Sequence, residues 1–196
     1  VHVHAILGFA LFVLFIAQAF FAYRNNFAIH TKTGALSAVV AVLLLVAGLG
    51  MIRRSAEGYV ADPVDDQVTA MLIQASSVWV SLFVELSFAA FFGLAFLLRR
   101  NTAVHKRLVF LAFVGITSPA LGRMGQFPVL ELSPAVFTLS SMLLLVLALV
   151  VYDVKTRKNV HFVTLIGGTI QVLGLGVCAA VVPFTGIGQR VILLLS

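Results

Sequence analysis

Six long apolar stretches, at residues 5–23, 34–52, 70–98, 105–121, 134–152 and 160–182, are separated by short clusters of charge. About 20 apolar residues in a row are what a helix needs to cross a ~30 Å hydrocarbon core. Only 10% of the chain is charged and 61% is of hydrophobic type. A soluble domain carries about 25% charged residues. A soluble enzyme, a coiled coil, a collagen and a disordered chain are therefore excluded. The pattern predicts an all-α integral membrane protein of six transmembrane helices in one domain spanning residues 1–196. Stretch 70–98 is longer than the bilayer requires, so it tilts or projects. Pro119 is expected to bend or end the fourth helix and Pro183 to break the sixth. The tail 184–196 is expected to lie at the interface. Residues 1–23 read as a span rather than a signal peptide. They lack a basic n-region, and their apolar run exceeds the usual ~7–15 residues.

Charge sets the expected orientation. The three short connections carry Arg24, Lys32, Arg99, Arg100, Lys106, Arg107, Lys155, Arg157 and Lys158 against Asp153, a net of +8. The other face carries Arg53, Arg54, Arg123 and Arg190 against Glu57, Asp62, Asp65, Asp66 and Glu131, a net of −1. Glu85, inside the membrane, completes the chain's +6. Short loops rich in Lys and Arg stay in the cytoplasm. The expected location is a bacterial inner membrane with both termini outside. The positive charge then reflects topology and not nucleic-acid binding. One cysteine, Cys178, excludes an intramolecular disulfide and a cysteine zinc site.

The basic connections resemble one another. A shift of 75 residues lays Arg24 on Arg99, Asn26 on Asn101, Ala28 on Ala103, Ile29 on Val104 and His30 on His105. A further shift of 56 lays Arg99 on Lys155, Val104 on Val160 and His105 on His161. The pattern suggests three repeated helical hairpins, each bringing one histidine to the start of its second helix. Sites in membrane proteins often lie at repeat interfaces.

His30, His105 and His161 thus sit at one depth. Three imidazoles are a plausible set of metal ligands, with Asp153 as a fourth ligand or as the acceptor that orients a ring. Two of them could instead hold the iron of a b-type haem, with Arg24, Arg99 or Arg100 on its propionates. A third reading is plainer: interfacial histidines also cap helices and meet headgroups. Lys106 and Arg107 place His105 close to the interface. Glu85 falls near the bilayer midplane, where a charged carboxylate is costly and is usually functional. It is either a proton relay or a neutral acid bonded to a hydroxyl such as Ser141. Gln18 and Gln171 are expected to make interhelical hydrogen bonds, and Gly167, Gly168, Gly174 and Gly176 to permit close packing.

The segments His30-Thr31-Lys32-Thr33-Gly34, His105-Lys106-Arg107-Leu108, Ser118 to Arg123, and Tyr152-Asp153 through His161 to Gly168 carry a likeness. With them the chain resembles an uncharacterised family of bacterial six-helix inner-membrane proteins with H-R-R-L-G, H-K-R-L-M, P-A-x-A-R and Y-D…R-x-H-P-A-T-L-x-G-G motifs. His4 matches the family's histidine at the opening of the first helix, and Glu85 approximately matches its third-helix acid. Thr31-Lys32-Thr33 is less basic than the family's pattern, and Phe162 replaces its proline. The resemblance implies topology and candidate residues but no activity. The leading expectation is haem or metal binding through the cytoplasmic-side histidines with an electron-transfer role; the alternatives are an accessory or structural subunit of a larger membrane complex and a small proton-coupled transporter using Glu85.

Overall fold

The computed structural model describes residues 2–57, 68–127 and 133–195. Asp62, Asp65, Asp66 and Glu131, counted above on the acidic face, lie outside the described residues. The elements run α1 (His2–Tyr23), α2 (Phe27–Glu57), α3 (Val68–Leu97), α4 (Thr102–Met124), α5 (Pro134–Arg157), α6 (Phe162–Ala180), a 3-10 turn (Val182–Phe184) and α7 (Gly186–Leu195). Six helices are long and apolar enough to span a membrane, and the described residues hold no strand. The fold is an all-α membrane bundle.

The helices outrun the apolar stretches that announced them. α2 continues through Arg53 and Arg54 to Glu57, and α5 through Lys155 to Arg157. Polar residues of good helix propensity extend a span into the headgroup layer at little cost. Pro119 neither ends nor replaces α4, which continues to Met124. Proline in a membrane helix is tolerated because neighbouring groups can cover the carbonyl it frees. Turns close the hairpins where side chains meet orphan amides. Asn101 accepts from Val104 N, Ser133 from Val136 N ahead of Pro134, and His161 from Val163 N. Lys158 ends α5 in the left-handed region.

The first two hairpins share two hydrogen bonds. Asn26 Oδ1 accepts from Ile29 N at 3.2 Å, as Asn101 Oδ1 does from Val104 N at 3.3 Å. His30 and His105 are each the fourth residue of their helix. Their Nδ1 atoms meet Gln18 O at 3.2 Å and Ala95 O at 2.8 Å, each a carbonyl of the preceding helix. The third hairpin departs from this pattern, because its histidine precedes the helix instead of lying inside it.

α4 is the buried axis. It packs against α3, α5 and α6, and Phe113 reaches α1, stacking on Phe15 with ring centroids 4.1 Å apart. α6 takes glycines where it approaches α4, α5 and α3. A Cβ on Gly167 would strike Leu111, one on Gly168 would strike Val146, and one on Gly174 would strike Phe83. Among the described residues a Cβ on Gly176 would meet nothing. The tail folds back, and α7 rests on α2 and α3 with Ile192 fully buried.

In a chain with Cys178→Ser, single cysteines at Asn26, Thr102 and Thr156 are expected to react with an impermeant maleimide from one side of the membrane. One at Gln126, in the turn after α4, is expected to react from the other. Labelling of Asn26 and Gln126 from the same side contradicts the six-span arrangement.

Candidate functional site

Two acids stand within the bundle, Asp153 and Glu85. The first lies near the basic end, where α4, α5 and α6 meet. Arg107 and Asp153 are each 0% exposed. Arg107 Nε donates to Asp153 Oδ1 at 2.9 Å, Nη2 donates to the same oxygen, and Nη1 donates to Ala103 O. Asp153 Oδ2 accepts from His161 N at 3.0 Å and from Thr164 Oγ1 at 2.5 Å. Both carboxylate oxygens are thereby satisfied, as a buried charge requires. One residue back on each helix, Lys106 Nζ donates to Tyr152 Oη at 2.7 Å and lies 4.9 Å from the centre of that ring.

This cluster corrects the sequence reading of three residues. Arg107 does not add to the basic surface. It is inside, and its charge is cancelled by Asp153, so the excess of +8 at the basic end stands on the other eight cations. Asp153 is neither a metal ligand nor the acceptor of an imidazole ring, since it binds a guanidinium, a hydroxyl and a main-chain amide. His161 uses its ring to cap α6, with Val163 N donating to Nδ1 at 3.1 Å, and stacks on Phe162.

The three histidines do not converge. Among the described residues no three His, Cys, Asp or Glu side chains are arranged to hold a metal ion. The expected three-histidine metal centre is therefore not assembled. Equal depth is set by the hairpin turns, but convergence needs the helices to turn those faces toward one another. Here His30 and His105 each look back along their own hairpin.

The second site is Glu85, on α3. Its carboxyl lies against Gly48 of α2, where a Cβ would collide with both oxygens. Among the described residues it has neither a hydrogen-bond donor nor an ion-pair partner. Ser141, the expected hydroxyl, is not its neighbour, because α3 and α5 do not touch and α4 stands between them. Gln18 and Gln171 do bridge helices. Gln18 Nε2 donates to His30 O at 2.9 Å and to Thr33, and Gln171 Nε2 donates to Leu111 O at 2.9 Å. The two residues that sequence reasoning missed are Arg107 and Gly48. The 46-residue spacing of the Arg107–Asp153 pair carried no local signal. A glycine in an apolar run gave no hint of what fills its place.

Comparison with protein-family models, with curated proteins and with solved structures finds no match to this chain.

Two outcomes follow. Asp153→Asn should cost about 3–5 kcal/mol in a reversible unfolding assay, since it strands a buried guanidinium. Arg107→Met with Asp153→Leu should cost less than either single change. A double variant as damaged as the sum of the singles would show that the pair is not the lock. The second outcome concerns His161. Burial holds its imidazole below the ordinary histidine value, and Arg107, Arg157 and Lys106 push it the same way against the opposing pull of Asp153. The unfolded chain therefore binds the proton more readily. The stability this confers is complete above about pH 6.5 and is lost as the pH falls from there toward the lower folded value. His161→Asn keeps a capping side chain without titration. Its melting temperature should fall less between pH 7.5 and 5.5 than that of the parent. Parallel curves would contradict the assignment.

Proposed function

We propose that this integral membrane protein is a proton-coupled carrier whose proton-binding group is Glu85. One observation carries the reading: an acid in a membrane-spanning helix, unpaired among the described residues, set against a glycine that leaves room for it. Acids within membrane segments are costly and mark proton or substrate pathways. A purely structural acid would be expected to have a donor, as Asp153 has. Gly48 adds a second feature. It brings the carboxyl onto the α2 backbone, so a change in Glu85 protonation bears directly on how α2 and α3 pack. That gives proton binding a mechanical consequence, as coupling demands.

The reading would place the protein in a bacterial inner membrane with the basic loops inside, and would give a role to the third-helix acid of the six-helix bacterial proteins that the sequence resembles. The working cycle would alternate between a protonated Glu85, neutral and compatible with the α2–α3 seam, and a charged one that draws in water or a cation. Arg107–Asp153 would stay fixed throughout and hold α4, α5 and α6 as the frame.

A second reading has one observation in its favour. His30 and His105 direct Nδ1 to main-chain carbonyls, which leaves Nε2 as the lone-pair atom, the form in which an imidazole binds a metal or haem iron. An electron-transfer role would follow from bound haem b or a redox-active metal. A Soret band in gently purified protein, lost in His30→Ala or His105→Ala, would favour it over the carrier.

Everted membrane vesicles with an acid interior test the carrier. Addition of cargo should dissipate the pH gradient, read with acridine orange, in vesicles containing the parent. It should have no effect with Glu85→Gln, which keeps size and hydrogen bonding but cannot titrate. Gly48→Ala should reduce the response by pushing the carboxyl aside while the protein still accumulates in the membrane. An undiminished response in Glu85→Gln would sink the proposal.

A further inference from the structure

α4 carries a proline within its span, and two buried side chains beside it have an atom with no partner among the described residues. Pro119 has no N–H, so the carbonyl one turn earlier, Gly115 O, receives no amide from it. Gly115 is itself buried, so bulk water does not reach that carbonyl. Gln171 of α6 lies against Gly115, where a Cβ would come within 2.6 Å of Nε2 and 2.9 Å of Oε1. Nε2 donates to Leu111 O at 2.9 Å, and this fixes which way the amide faces, since a carbonyl only accepts. Oε1 is then the unpartnered end, on a residue 0% exposed. Ser118 is 3% exposed, and its Oγ is unpartnered too. The hydroxyls of Thr117, Thr138 and Ser140 donate back to carbonyls of their own helices, and that of Ser118 does not.

These groups belong to one place. Leu111, Gly115 and Ser118 stand at i, i+4 and i+7, a single stripe of α4. Ser118 is three residues beyond Gly115, about 4.5 Å along the axis at ~1.5 Å per residue. A helical side chain leans toward the N-terminus of its helix, which turns Ser118 Oγ back to the Gly115 turn and to Gln171. One hydroxyl and two carbonyl oxygens therefore face one another in an apolar interior, where an unpaired polar atom is costly.

We propose that the proline turn of α4 binds one water molecule, which donates to Gly115 O and to Gln171 Oε1, accepts from Ser118 Oγ and so ties α4 to α6. A buried water makes about three hydrogen bonds. Its two donors and its lone pair are what two carbonyl oxygens and a hydroxyl call for. Proline in a membrane helix is accommodated by ordered water of this kind. A bare cation fits worse. It would find neutral oxygens and no counter-ion, because Asp153 is paired with Arg107 and the Glu85 carboxyl is turned to α2. The ion pair holds these helices at the basic end. The water holds α4 to α6 eight residues further along, about 12 Å at the same rise. The inference is independent of the carrier reading.

Nuclear magnetic resonance of the full chain in nanodiscs, deuterated and carrying nitrogen-15 glutamine, tests this. The side-chain amide of Gln171 is identified as the signal missing in Gln171→Met. It is expected to show a dipolar cross-peak to the water line, opposite in sign to a chemical-exchange peak in the rotating frame. Pro119→Ala gives Gly115 O its amide and suits a helix better than proline, so the chain should fold and the cross-peak should be lost. Ser118→Ala removes the third hydrogen bond and should weaken the peak as well. Absence of a dipolar cross-peak in the parent overturns the proposal. So does a peak that survives Pro119→Ala unchanged, since it would arise from the Ser118 hydroxyl proton exchanging with solvent or from water bound elsewhere. A shift of the Gln171 amide on replacing potassium with sodium would overturn it in favour of a cation.

Discussion

A guanidinium and a carboxylate inside an apolar bundle have no water to turn to, and the half of the molecule built from α4, α5 and α6 is arranged around that fact. Arg107 comes from α4, Asp153 from the end of α5, and the amide and hydroxyl that complete the carboxylate from the first residues of α6. Three helices meet at one point because each brings a group the others need. Breaking any contact leaves a charge or a dipole in hydrocarbon, which costs more than the contact itself contributes. The pair therefore acts less as a source of net stability than as a device that fixes register. α5 and α6 cannot slide along α4 without stranding a charge.

The α1–α2 hairpin and the α3–α4 hairpin achieve the same end with neutral groups. A histidine at the fourth helical position, bonded to a carbonyl of the preceding helix, ties each hairpin at its basic end. The third hairpin has a left-handed turn at Lys158 and a histidine one step before its helix. That histidine turns to capping its own helix, and the tie passes to Asp153. One structural task is thus solved twice by imidazoles and once by a carboxylate. With the basic end locked three times over, the seam between α2 and α3 holds the acid that is unpaired among the described residues, and it lies apart from these ties.

Much of this was legible in the chain before any coordinates. The six spans, the turns between them and the placement of one histidine per hairpin all follow from local pattern: apolar run length, clusters of Lys and Arg, and the Asn-x-x-x-His spacing shared by Asn26–His30 and Asn101–His105. Helix ends were less legible. Arg53, Arg54 and Glu57 at the end of α2, and Lys155 and Arg157 at the end of α5, are as helical as the apolar residues before them. A hydropathy pattern marks the hydrocarbon boundary and not the helix boundary.

The candidate site divides along the same line. That Glu85 lies within a span, and that Asp153 lies beside a histidine turn, is sequence information, because depth in a bilayer is counted along one helix. Which group each acid faces is not. Helix rotation and neighbour order decide that Asp153 meets Arg107 and not a metal, and that Glu85 meets Gly48 and not Ser141. Those choices depend on contacts between residues far apart in the chain, and α4 takes the central place by filling the space between α3, α5 and α6. The chain by itself determined a six-helix membrane protein with basic turns and an acid in its third span. Only the packing of the helices decided which polar groups hold the bundle together and, among the described residues, that Glu85 is not one of them. The physical reason is that an apolar interior specifies that polar groups must find partners, while the tertiary fold alone specifies which partners are within reach.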